Sequence, residues 1–151
     1  MISYIIDAFN LIYRVPKLKN SDSPHIDLIN YIRNNRLTGS KTNKVIIVFD
    51  GGVDAQVKQQ TNYQVYFSGG GSADDVIKSK LSGMKNKSQI RVVSDDRVIR
   101  DFTKQMGAVS LRIDDFIYKN KKIDVVENTK DISYSLQREI TESMRKIWNK
   151  E

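Results

Sequence analysis

Aspartates stand at or just past the ends of three hydrophobic runs. Asp7 follows the apolar residues Ile2 to Ile6, Asp50 follows Val45 to Phe49, and Asp96 lies just past Ile90 to Val93. Asp74 and Asp75 fall in the first turn of a helix expected after Ser72, and Asp95 adjoins Asp96. If the runs are parallel strands, their C-terminal ends share one edge, where open α/β sheets bind ligands. Carboxylates gathered there repel one another unless a cation compensates. The chain has no cysteine and one histidine, which leaves oxygen ligands and points to Mg(2+) or Mn(2+) rather than zinc. Such an ion can activate water and neutralise a phosphodiester, so the chemistry implied is that of a metal-dependent nuclease. Asp7, Asp74 and Asp96 are the expected principal ligands, with Asp50 acting through water or positioning a second metal.

Each acidic residue also has a plainer explanation. Asp75 lies three residues after Ser72, the spacing of a capping box, and Asp95 and Asp96 suit the positive end of a helix. Asp7 and Asp50 are harder to explain structurally, since neither is needed to end a strand. Asn10, three residues beyond Asp7, can orient a carboxylate, a metal-bound water or a phosphate oxygen, or simply begin a helix. Arg97 directly follows the Asp96 junction, and Arg14 lies beyond a first loop; the two are candidate phosphate contacts from opposite sides of the crevice. Tyr13 and Tyr66 can stack on bases or complete a core edge. His25 is expected to face solvent, and Gly69 to Gly71 form an entry to the acidic helix without the lysine of a P-loop.

The elements that must position these residues alternate. Ile2 to Ile6 and Val45 to Phe49 are apolar enough for strands covered on both faces. Between them Ser23-Pro24 opens a helix carrying Ile26, Ile29 and Ile32, with Gly39 as a stop. Tyr63 to Phe67 suits a short strand, either parallel or an alternating antiparallel edge. A helix from Ser72 to Gly83 precedes the strand Ile90 to Val93; a further helix bearing Val98, Ile99, Phe102 and Met106 is closed by Gly107 before a strand at Ala108 to Leu111. Asp114 to Tyr118 reads as one helical turn. Leu136, Ile140, Met144 and Ile147 mark a final helix at about residues 133–149, after a polar loop. This order favours a single three-layer α/β/α domain over residues 1–151, with a mainly parallel central sheet and right-handed crossovers.

Lys and Arg number 25 against 18 Asp and Glu, a formal charge of +7, which suits a polyanionic partner without selecting one. The N-terminus lacks a basic stretch before its apolar residues, so it reads as a strand and a cytoplasmic location is the expectation. No segment looks membrane-spanning, and nothing specifies a protein partner or an oligomeric state.

The motifs IIDAFNLI, IIVFDG, VYFSGGGSADDVI and VVSDDRVIR, spread over Ile2 to Phe116, resemble the YacP-like branch of the NYN domains within the PIN-like nuclease superfamily. The resemblance implies a PIN-like fold and metal-dependent endoribonuclease activity on RNA, expected to be single-stranded. It carries the family's acidic positions onto Asp7, Asp50, Asp74 with neighbouring Asp75, and Asp96, and its polar positions onto Asn10, Ser94 and Arg97. SDDR departs from the frequent threonine-serine-aspartate-arginine pattern: Asp95 replaces the serine, and its extra carboxylate can bind metal or cap the helix. Asp101, one turn past Arg97, is a weaker candidate. PIN-like domains can lose catalysis and retain RNA binding, so a noncatalytic RNA-binding module is the alternative, against which the full acidic set argues.

Overall fold

A computed structural model of the chain describes residues 1–57, 59 and 62–118. Five strands form one wholly parallel sheet: β1 (Ser3–Asp7), β2 (Lys44–Phe49), β3 (Tyr63–Phe67), β4 (Ile90–Val93) and β5 (Val109–Leu111), in the order β3-β2-β1-β4-β5. The chain passes from β1 to β2 through α1 (Ala8–Arg14), α2 (Pro16–Lys19) and α3 (Pro24–Asn34). It then reaches β4 from β3 through α4 (Ala73–Gly83), and β5 from β4 through α5 (Arg97–Gln105). A helical segment at 113–118 follows β5. The final helix expected near 133–149 lies outside the described residues.

Alternation along the central strands divides the core. Ile6, Val45, Ile47 and Phe49 pack with Leu11, Leu28, Ile32 and Phe116 on one face. Ile5, Ile46 and Val48 pack with Ile77, Leu81 and Ile99 on the other. A two-residue side-chain period places successive residues on opposite faces, so an unbroken apolar run such as VIIVF requires helices on both sides. The result is a three-layer α/β/α sandwich.

Three sequence expectations are refined. The first loop does not exist: α1 begins at Ala8, directly after β1, with Asp7 as its N-cap. Tyr63–Phe67 is a parallel edge strand, in register with β2 from Val45↔Tyr63 to Phe49↔Phe67. His25 does not face solvent. Its ring lies 4.4 Å from that of Phe49 and 5.7 Å from that of Phe67, and its Nδ1 is 3.0 Å from Asp54 Oδ2. Ring packing outweighs solvation here because His25, in the first turn of α3, lies over the C-terminal ends of β2 and β3.

Strand order reverses between β1 and β4. The chain leaves β1 towards β2 on one side and leaves β4 towards β5 on the other, which opens a crevice at their C-terminal ends. Asp7 ends β1 and Ser94 follows β4, so the acidic motifs meet at that point.

Two glycines give opposite expectations for stability. Gly107 has φ +84° after α5, and a Cβ there would meet nothing closer than Lys87 Cβ at 3.9 Å, so alanine is opposed by backbone conformation alone. Gly83 is the last residue of α4, at a φ open to any residue, with free space around it. Gly107→Ala should therefore lower unfolding free energy by about 1 kcal/mol, whereas Gly83→Ala should raise it by about 0.4–1 kcal/mol. Urea denaturation of the two variants checks the signs.

Candidate active site

Asp7 is the buried centre of the site, 5% exposed, because it still belongs to the central strand and is paired in register with Val48. Its Oδ2 accepts hydrogen bonds from Ser94 Oγ at 2.9 Å and Asn10 Nδ2 at 3.0 Å. Asn10 is brought back by the first turn of α1, and its Oδ1 accepts from Asp95 N at 3.0 Å. Ser94 Oγ in turn accepts from Asp96 N at 3.0 Å. Two polar side chains thus tie the end of β1 to the loop after β4, across 87 residues of sequence.

Asp96 caps α5. Its Oδ1 accepts from Val98 N and Ile99 N, at 2.8 and 3.2 Å, while no side chain or backbone group among the described residues bonds its Oδ2. Asp74 lies one residue into α4, after Ser72 caps that helix by accepting from Asp75 N at 3.2 Å. Asp50 projects from the turn after β2. Ser68, immediately beyond β3, holds it: Ser68 Oγ donates to Asp50 Oδ1 at 2.9 Å and accepts from Gly51 N at 2.8 Å.

Asp7, Asp50, Asp74 and Asp96 line one cleft of about 540 Å³, together with Phe9, Asn10, Tyr13, Ser72 and Ala73. Burial, followed by the charges of Asp74 and Asp96, pushes the Asp7 carboxyl up to about 6 despite the opposing hydrogen bond from Ser94. Asp74 is raised as well, by partial burial first and then by Asp96, with Asp75 and Asp50 adding to the effect and Lys78 opposing it. The cleft therefore carries excess negative charge that a cation would relieve.

The other sequence candidates occupy different places. Asp95 does not line the cleft; its Oδ1 accepts from Ile113 N at 2.9 Å and anchors the helical segment 113–118. Asp75 is exposed on α4 and also lies off the cleft. Arg14 forms a two-point ion pair with Asp114 and is not among the lining residues. Arg97, with a side chain 91% exposed among the described residues, makes a long contact of 3.9 Å to Asp101. Tyr13 lines the cleft with 65% of its surface exposed, whereas Tyr66 lies away from it under Lys80, whose Nζ is 3.7 Å from the ring centre. Ser68 and Phe9 were not singled out from the sequence. A serine directly after an edge strand gives no sign of which carboxylate it will hold.

The donors suit a hard cation in kind. All are carboxylate oxygens, the ligands preferred by magnesium and manganese. Among the described residues, no three acidic or imidazole groups are gathered closely enough to enclose an ion. An ion held by one or two carboxylates and its own waters needs no such enclosure, and that is the usual mode for magnesium.

The profile of the YacP-like NYN domain family matches residues 4–151, farther along the chain than the recognisable motifs extend. The chain belongs to this family of PIN-like nucleases. Two crystal structures of Rae1 (YacP) from Bacillus subtilis share its fold. The Rae1 structure matches with a TM-score of 0.64 at 23% identity, covering 99% of this chain and 95% of that one. Its W164L mutant matches with a TM-score of 0.63 at 24% identity, covering 91% and 89%. No curated protein matches the chain. No helix among the described residues is long and apolar enough to cross a membrane.

The charge on Asp7 carries a measurable stability cost. A carboxyl whose pKa is higher in the folded chain binds more protons folded than unfolded, so stability falls as pH rises from the ordinary 3.8 to about 6 and stays lower above that window. Asp7→Asn keeps an acceptor for Ser94 and Asn10 and removes the charge. In chelator at pH 8 it should be more stable than wild type by on the order of 1–3 kcal/mol, with the gain vanishing near pH 4. Thermal unfolding at both pH values provides the comparison, and a variant less stable at pH 8 would contradict the electrostatic assignment.

Proposed function

We propose that the chain is an endoribonuclease that hydrolyses RNA phosphodiester bonds with Mg(2+) or Mn(2+) held at Asp7, Asp74 and Asp96, with Asp50 as an outer or second-ion ligand. The observation that carries this reading is the meeting of four carboxylates, far apart in sequence, in one cleft at the switch point of a parallel sheet. A bound divalent ion would offset phosphate charge and acidify a water molecule there. The protein's own part is positioning. Ser94 and Asn10 fix the Asp7 carboxylate, the N-terminus of α5 fixes that of Asp96, and Ser68 fixes that of Asp50.

The exposed Tyr13 ring at the cleft offers a base-stacking surface, which favours a single strand whose bases are not already paired. Arg97, beside Asp96 and largely unengaged, is the better placed of the two proposed phosphate contacts; Arg14 would first have to leave Asp114. Asp95 and Asp75 are assigned to the scaffold rather than to the metal.

Asp96→Asn separates ligation from folding, because asparagine caps a helix about as well as aspartate does. It should leave the unfolding midpoint nearly unchanged and reduce cleavage about 100-fold or more, the loss expected when charge stabilisation of a few kcal/mol is removed. The assay compares labelled single-stranded RNA and DNA with magnesium, manganese or chelator, using parallel preparations of wild type, Asp96→Asn and an Asp7, Asp74 and Asp96 triple variant. Equal cleavage by wild type and Asp96→Asn at limiting metal would exclude Asp96 as a ligand. RNA binding without cleavage under every metal condition would replace the enzyme with a noncatalytic RNA-binding module.

A further inference from the structure

The opposite end of the sheet holds a second cavity, of about 600 Å³ and opposite in charge. Its lining includes Arg33, Arg36, Lys41, Thr38, Asn43 and Tyr63, and no carboxylate. The loop that builds it is firmly shaped. Asn43 Oδ1 accepts from Ile2 N at 3.0 Å while its Nδ2 donates to the Thr38 carbonyl at 2.8 Å, binding the loop to the start of β1. Asn62, just before β3, donates to the Lys41 carbonyl. Arg36 is held at φ +50°, a conformation uncommon for a side-chain-bearing residue, and Gly39 follows at φ +72°. The Arg33 guanidinium lies over the Tyr63 ring, 5.0 Å from its centre. Neither Arg36 nor Lys41 has a carboxylate partner among the described residues.

A cavity lined by three cations, with hydroxyl and amide groups between them and no acid, matches a phosphate group in charge and in hydrogen-bonding sense. We propose that it is a second phosphate-binding site that takes the backbone of an RNA strand remote from the carboxylate cleft. This inference rests on the reading of RNA as substrate. β2 runs six residues from the cavity rim to the acidic edge, so at about 3.3 Å per residue the two sites are roughly 17–20 Å apart. A strand must therefore be several nucleotides long to reach both, and a dinucleotide engages only one.

The test uses the full chain and fluorescently labelled single-stranded RNA in chelator, comparing a 20-nucleotide strand with a dinucleotide across a salt series. Arg36→Asn suits the left-handed backbone, which asparagine tolerates, and is combined with Lys41→Gln. Lys85→Gln with Lys104→Gln removes the same charge from surface positions outside the cavity. The cavity variant should bind the long strand about tenfold more weakly, with a salt slope smaller by about 1.4, the value for two single-strand phosphate contacts. Its cleavage of the dinucleotide when metal is added, which needs the carboxylate cleft alone, should match wild type. An unchanged long-strand affinity, or an equal loss in the control variant, would overturn the second site while leaving the proposed cleavage standing. A wild-type protein that bound no RNA at all would overturn both.

Discussion

A single buried carboxylate organises this molecule. Asp7 lies at the end of the central strand, where apolar packing would ordinarily exclude a charge. Two donors make it tolerable, Ser94 from the loop after β4 and Asn10 from the first turn of α1. Each donor also binds the backbone of the loop it serves: Asn10 receives the amide of Asp95, and Ser94 receives the amide of Asp96. The same bonds that satisfy Asp7 therefore aim Asp96 at the cleft. Removing either donor would leave a buried group unsatisfied and release the loop, so geometry and stability are coupled at this point.

Among the described residues, the charge of the cleft is only partly offset. Asp7 and Asp74 are both raised, with burial as the main cause and neighbouring carboxylates adding to it, although the chain as a whole carries an excess of cations. Lys78 opposes the shift of Asp74, while other described cations lie farther from the cleft. Several surround the basal cavity, while Arg14 is bound to Asp114 and Arg97 extends into solvent. A fold that leaves Asp7 and Asp74 with raised pKa values, Lys78 only partly offsetting the second, stays less stable than it need be. An external cation would recover the difference, which is a common compromise between stability and function at active sites.

The sheet and its crossovers were legible in the sequence because fully buried parallel strands give uninterrupted apolar runs, as in VIIVF, and because Ser72, Gly83 and Gly107 mark helix ends. The convergence of Asp7, Asp50, Asp74 and Asp96 followed from the same topology, since parallel strands put their ends together. Contacts that depend on side-chain direction were not legible. Asp95 and Asp96 are adjacent in the chain, yet one anchors the Ile113 amide while the other caps α5 at the cleft. His25 read as a surface residue because its spacing in α3 does not reveal the three phenylalanines that meet over it. Arg14 pairs with Asp114, a partner 100 residues away that its own position gave no means to foresee.

If the carboxylates around Asp7 form one cation site, direct binding of Mn(2+) reveals it without any substrate. The paramagnetic signal of free Mn(2+), titrated against protein at neutral pH, reports occupancy. Wild type should remove Mn(2+) from solution in a way that excess Mg(2+) reverses. Asp7→Asn, with its fold intact and its apo stability raised, should lose most of that binding. Wild-type affinity retained by Asp7→Asn would mean that any ion lies elsewhere and that the cleft is not a metal centre.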